Sequence, residues 1–252
     1  MTRGGHIFFA LIVGLAGLAA PSLSPGGEFR VTPIRLIFDQ QTKTGILTIQ
    51  NDGEETLQLQ VKAYEWTQDE RGKDRYTETD DILFFPRLMK LEKAEKRILR
   101  AGVKQLAREK EQTYRLFIEE VPEPQKKREG ASIDISIRFG VPIFVKPVPE
   151  EVKGAIEKVQ LGEGKLRIDV RNTGNAHFRI ESIQVTGTDA QGTESFSRTL
   201  SGWYLLAGTM RSHELSVSRE ECRDTARFVM DVKTLPFTLH DQLDVIPTLC
   251  SP

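Results

Sequence analysis

Ser132 to Pro147 reads S-I-D-I-S-I-R-F-G-V-P-I-F-V-K-P, and its pattern changes half-way along. Ile133, Ile135, Ile137 and Phe139 alternate with Ser132, Asp134, Ser136 and Arg138. A period of two puts the first set on one face of a β-strand and the second set on the other. Gly140 and Pro142 follow, residues that ordinarily interrupt a regular ladder, so an interruption is expected there. Ile143-Phe144-Val145 is then an apolar run that reads as buried. The strand has a striped first half and a buried second half. Two readings of the stripe stand side by side. Ile133, Ile135 and Ile137 are ordinary core residues of a sandwich, or they are an edge lent to another protein.

Working outward, the N-terminus carries Arg3, then an apolar run from Ile7 to Ala20 rich in Ala, Gly and Leu. That run is short for a spanning helix and ends on small residues, the layout of a secretory signal peptide over residues 1–27, cut between Ala20 and Gly27. A membrane anchor is the other reading. No second run of spanning length follows, so the exported chain is expected to be free of stable membrane insertion. Lys and Arg total 35 against 36 Asp and Glu, a near balance that gives no reason to expect a nucleic-acid partner. Cys222 and Cys250 are the chain's two cysteines, and an even pair in an exported protein is expected to be bridged.

Phe29 to Phe38 is β-branched and aromatic, with Pro33 inside it. Proline lacks the ladder donor, so this strand lies at an edge or changes partners. Thr44 to Gln50 is a second strand, closed by the turn Asn51-Asp52-Gly53. Leu57 to Trp66 alternates Leu57, Leu59, Val61 and Ala63 with polar residues until Tyr64 and Trp66. Gln68 to Asp81 reads as an exposed loop or hairpin tip. Leu88 to Ala107 is charged, with Leu88, Leu91, Ala94, Ile98 and Leu106 near helical spacing, so propensity and period favour a helix, although Lys96 to Arg100 also suits a short strand. Thr113 to Val121 is a strand ending at Pro122.

Pro147 and Pro149 mark a stiff connector and divide the chain into residues 28–147 and 148–252. Beyond it, short strands over 156–161, 166–171, 178–187, 203–206, 212–217 and 227–233 are separated by turns such as Gly162-Glu163-Gly164, which argues for a second β-sandwich. His6, His177, His213 and His240 are too scattered for a metal site. No nucleophile elbow, phosphate loop or zinc-protease helix motif occurs, and no carboxylate pair stands out, so no catalytic residue, cofactor or metal is expected and the chain is read as a non-enzyme.

The chain resembles the periplasmic pilus-assembly chaperones of the chaperone–usher pathway, in a divergent branch similar to the archaic type. The resemblance rests on V-T-P-I-R-L-I-F (31–38), F-F-P-R-L (84–88), Y-R-L-F-I-E-E-V-P (114–122), I-S-I-R-F-G-V-P-I-F-V-K-P (135–147) and L-R-I-D-V-R-N-T-G-N-A-H-F (166–178), in that order. It implies an all-β protein of two immunoglobulin-like sandwiches at an angle, with a cleft between them. It also implies that Leu88 to Ala107 is a loop and a strand rather than a helix.

The family's function follows as an expectation: a periplasmic chaperone that takes up pilin-like subunits by donor-strand complementation and passes them to an outer-membrane usher. This mode is a named example of β-augmentation. Ile133, Ile135 and Ile137 would fill the groove of a subunit that lacks a strand, worth about 5–9 kcal/mol before association costs. A basic pair would hold the subunit's C-terminal carboxylate. Arg35 matches the family's first-strand Arg. The seventh-strand Lys of well-studied members aligns with Pro142, so the second anchor falls to Arg115, with Arg138 behind it. Self-association of the free chain is expected from an exposed Ile row. The rival reading is a structural or adhesive surface protein built of two sandwiches.

Overall fold

The structure is a computed structural model that describes residues 28–121 and 136–250. The signal peptide read over residues 1–27, and Ile133 and Ile135, lie outside the described residues. Ten strands come before residue 146: β1 (Phe29–Thr32), β2 (Leu36–Phe38), β3 (Thr44–Asn51), β4 (Leu57–Gln68), β5 (Asp74–Glu78), β6 (Ile82–Phe85), β7 (Leu88–Leu91), β8 (Lys96–Val103), β9 (Gln112–Glu120) and β10 (Arg138–Val145). They form one sheet in the order β1-β3-β8-β6 and another in the order β2-β10-β9-β4-β5, with β7 also on β4. Between them lies a core that includes Leu47, Ile49, Leu59, Leu99, Leu116, Ile118 and Ile143, all fully buried.

Pro33 changes the chain's partner. Before it, β1 runs antiparallel to β3; after it, β2 runs parallel to β10 in the other sheet. The helix favoured by propensity over Leu88 to Ala107 does not form, and the segment is β7 and β8 as the family resemblance implied. The reason is tertiary. Strands β3, β4 and β6 offer ladder partners, Met89, Leu91, Leu99 and Ala101 fill the core, and Lys90, Lys96, Arg97 and Arg100 stay exposed. Such context overrides a weak propensity. Ala94, with φ of 60°, turns the chain between the two strands. Of the two readings of Gln68 to Asp81, the hairpin tip is the one that forms: β5 pairs with β4 from Tyr64↔Glu78 to Gln68↔Asp74.

The second half holds β11 (Gly154–Gly162), β12 (Lys165–Asn172), β13 (Phe178–Thr188), β14 (Glu194–Ser201), β15 (Tyr204–Leu205), β16 (Met210–Ser216), β17 (Arg227–Thr234) and β18 (Thr238–Asp244). One sheet runs β11-β12-β16 and the other β14-β13-β17-β18, with β15 on β13, around a second core of Leu166, Ile168, Val170, Ile180, Ile183, Val185, Phe228, Met230 and Val232. Strands β14 and β18 escaped the sequence reading. Both are sheet edges, and β14 buries only Phe196, so they carry little apolar pattern. A single-turn helix, α1 (Arg219–Arg223), is capped by Ser218 and Glu221, each bonding to the other's backbone N–H. Its Cys222 is bonded to Cys250, closing a loop with a sequence separation of 28. A loop of that size is worth about 3–4 kcal/mol in the chain-entropy account.

Arg211 and His213 of β16 pair with Val170 and Ile168, so they share the core-facing side of an edge strand. Burial, with Arg211 beside it, pushes the His213 imidazole down to about 4, with Asp169 opposing. The unfolded chain therefore takes up this proton at higher pH than the folded one. The His213 contribution is complete above about pH 6.5 and falls away as pH drops towards 4. From pH 7 to pH 5 the expected loss is about 2 kcal/mol. Urea unfolding at the two pH values checks this, and His213→Leu should flatten the difference. An unchanged acid sensitivity in that variant would refute it.

Candidate functional site at the open edge of β10

The second half of β10 is walled on both sides; the first half is not. Its ladder with β9 runs from Arg138↔Glu119 to Val145↔Gln112 with no register shift, so the interruption expected at Gly140 and Pro142 is absent. The backbone alternation explains how proline fits. The Ile137 carbonyl accepts the Glu120 N–H at 3.0 Å, so odd-numbered residues bond to β9 and even-numbered ones point the other way. Pro142 therefore lacks a donor only on the side away from β9. On that side β2 covers Ile143 to Val145. Among the described residues, no strand covers Arg138 to Pro142 there.

At this boundary sits Arg115. It lies on β9 opposite Pro142, on the face turned away from the core. It is 7% exposed, low for a guanidinium with no ion pair among the described residues. Its Nη1 donates to the Gly140 carbonyl at 3.0 Å, while Nε and Nη2 are buried without a hydrogen-bond partner. Its Cζ lies 4.0 Å from the Trp66 ring centroid and 5.8 Å from those of Trp203 and Tyr204. Burial holds Arg115 below the usual arginine range, and the nearby Tyr76, Asp74 and Tyr204 oppose that shift. Each buried unbonded donor costs about 1–3 kcal/mol, in part offset by the aromatic faces. The site is thus a desolvated cation with free donors at the end of an open strand edge, suited to an incoming carboxylate.

The other proposed anchors stand differently. Arg35 is exposed and immediately precedes β2. Because Leu36 pairs with Ile143 in parallel, Arg35 falls at the level of Pro142, and Pro142 pairs with Arg115. Arg138 is committed: its Nε donates to Glu119 at 2.6 Å and its guanidinium lies 3.7 Å over Phe117. Phe117 lies across Gly140, where any Cβ would come within 2.8 Å of Cε1, so glycine is required for this overlap. Ile137 has the parity of Phe139, Val141 and Ile143, the core-facing side of β10.

The surroundings of Arg115 come from both sandwiches. Trp66 and Phe144 of the first pack with Leu206 and Tyr204 of the second. Glu111 accepts the His177 backbone N–H at 2.8 Å and faces its Nδ1 at 2.8 Å, and the His177 ring stacks on Phe144 at 3.5 Å. Gly72, with φ of 71°, brings the β4–β5 turn against β16, where a Cβ would lie 2.7 Å from that of Arg211. Sequence reasoning missed Trp66, Trp203, Tyr204, Glu111 and His177. One signal was present: Tyr64 and Trp66 occupy the otherwise polar face of β4.

Among the described residues, no group of three His, Cys, Asp or Glu side chains could hold a metal ion, and no helix is long and apolar enough to cross a membrane. Residues 28–150 match the PapD N-terminal domain family, described as pili and flagellar-assembly chaperone. No curated protein matches the chain. Among solved structures, the fold is similar to a CsuC–CsuE chaperone–tip adhesion subunit complex from the archaic chaperone-usher Csu pili of Acinetobacter baumannii, with a TM-score of 0.59 and 18% identity, covering 84% of this chain and 98% of that one. It is also similar to the Salmonella enterica SafA pilin–SafB chaperone complex, with a TM-score of 0.56 and 16% identity over 88% and 99% of the two chains. The Pseudomonas aeruginosa CupB2 chaperone matches with a TM-score of 0.53 and 13% identity over 86% and 100%.

Proposed function

We propose that this chain, whose residues 28–150 match the pili and flagellar-assembly chaperone family, is a periplasmic chaperone that captures pilin-like subunits and delivers them to an outer-membrane usher. The observation that carries the reading is the edge of β10. Among the described residues it is open from Arg138 to Pro142, closed by β2 from Ile143, and ends beside the unpaired donors of Arg115. A subunit strand added to this edge, parallel to β10 as β2 is, would end where β2 begins. Its terminal carboxylate would then meet Arg115 and, at the same level, Arg35. The parity of Ile137, carried back by alternation, puts Ile135 and Ile133 on the face that would fill the subunit's groove.

On this reading residues 28–147 form the subunit-binding domain and 148–252 the second domain, with the signal peptide in residues 1–27. Export to the periplasm is supported by the short apolar run Ile7 to Ala20 and by the Cys222–Cys250 bond, which suits an oxidising compartment. Binding needs neither a cofactor nor a chemical step, so we read the chain as a non-enzyme. The test is a periplasmic pull-down of the full chain, tagged at its C-terminus and expressed with its neighbouring genes. A stoichiometric β-rich partner is expected; recovery of the chain only in surface fibres would sink the proposal.

A further inference from the structure

Arg115 has a potential internal partner that does not pair with it. Asp74, at the start of β5, is close enough to favour the charged guanidinium but makes no ion pair with it. Its oxygens are occupied by neutral donors instead. Oδ1 accepts from Gln68 Nε2 at 3.0 Å. Oδ2 accepts from Trp203 Nε1 at 2.9 Å and from the Tyr76 hydroxyl at 3.3 Å. Gln68 is itself fixed from the second sandwich. Its Nε2 also donates to the Tyr204 carbonyl at 2.9 Å, and its Oε1 accepts from the Leu206 N–H at 3.0 Å and the Thr209 hydroxyl at 2.9 Å. Asp74 is therefore engaged in a network that two domains build together.

We propose that Trp203, with Gln68 and Tyr76, holds the Asp74 carboxylate off Arg115, keeping the guanidinium free for a carboxylate from outside. Asp74 is an internal competitor for the anchor, and Trp203 is a positioning residue supplied by the second sandwich. A buried guanidinium beside a free carboxylate would pair with it, since attraction between opposite charges strengthens as water is excluded. Once paired, Arg115 would offer an incoming chain end little. The second sandwich thus keeps the first one's binding site in its receptive form. This inference rests on Arg115 being the carboxylate anchor proposed above.

The test uses the full chain and an alternating valine–threonine octapeptide, once with a free C-terminal carboxylate and once as the C-terminal amide. Trp66, one of the chain's two tryptophans and 4.0 Å from Arg115, reports binding in every variant by its fluorescence. Wild type is expected to prefer the acid by about tenfold or more. Trp203→Phe removes the N–H and keeps a ring, and it should bring that ratio close to one. Trp203→Phe with Asp74→Asn should restore the preference, because the competitor no longer carries charge. Asp74→Asn alone should raise it. A preference retained in Trp203→Phe, or lost there and not restored by Asp74→Asn, overturns the proposal. If Trp203→Phe fails to fold, the Asp74→Asn variant decides: a fall in the ratio overturns the proposal. A wild type that binds acid and amide equally removes the anchor itself, a failure distinct from the others.

Discussion

Ile135→Asp is expected to abolish subunit capture in a chain whose melting is that of wild type. On the proposed reading the Ile row would supply about 5–9 kcal/mol gross for three side chains before association costs. Ile135 is its middle member. The substitution removes one apolar anchor and asks an ionised carboxylate to enter an apolar groove, a transfer that costs several kcal/mol without a partner. A fall in affinity of at least about a hundredfold follows, since every 1.4 kcal/mol is tenfold. The chain's own stability is expected to be spared because Phe139, Val141, Ile143 and Val145 already line the first core without Ile135. Co-purification with the subunit and thermal unfolding of the free variant check the two halves. Normal capture by a folded variant would return the Ile stripe to ordinary core. Register gives a companion expectation: a one-residue slip would turn Asp134, Ser136 and Arg138 to the groove, so only one alignment of a subunit strand is productive.

Arg115→Met weakens the complex about ten- to a hundredfold and makes it indifferent to the subunit's terminal carboxylate, the loss of one charge-assisted bond. Methionine keeps an apolar stem against Trp66 and removes two buried donors that lack partners. The Gly140 carbonyl, on the open side of β10, is left to water. Stability of the free chain should therefore change little, by about 1 kcal/mol. Calorimetry with the subunit, with and without its C-terminal carboxylate, separates the two effects. A variant that loses affinity equally for both forms would show that Arg115 acts by packing alone. Arg35→Ala should have a smaller effect, because that side chain is exposed and its contribution is screened.

Much of the frame is determined by local chemistry. Alternation at Leu57 to Ala63 assigns a strand and its faces without any partner in view, since the pleat has a period of two. Pro33 confines its strand to an edge or makes it change partners, because it carries no N–H. The missing histidine clusters and nucleophile motifs, and the even cysteine pair, are compositional facts. Where local signals compete, sequence alone misleads. Leu88 to Ala107 has helical spacing, and only the partners β3, β4 and β6 make it two strands. Pro142 looks like a ladder break, yet its missing donor falls on the side away from β9.

The site was legible as residue types and illegible as an environment. Arg115 stood out only through family likeness, and nothing in T-Y-R-L-F says that its guanidinium is buried. That burial comes from Trp66 on a neighbouring strand and from Trp203 and Tyr204 in the other sandwich, residues far away along the chain. Local pattern alone shows that this protein is built of strands and where its apolar stripe lies, because those properties depend on neighbours one to four residues away; the count of two cysteines leaves a single possible bridge. The tertiary structure alone decided which edge of β10 stays open, where β2 closes it and which charge is left unpaired there, because hydrogen-bond partners and desolvation are set by distant segments that meet only in the folded chain.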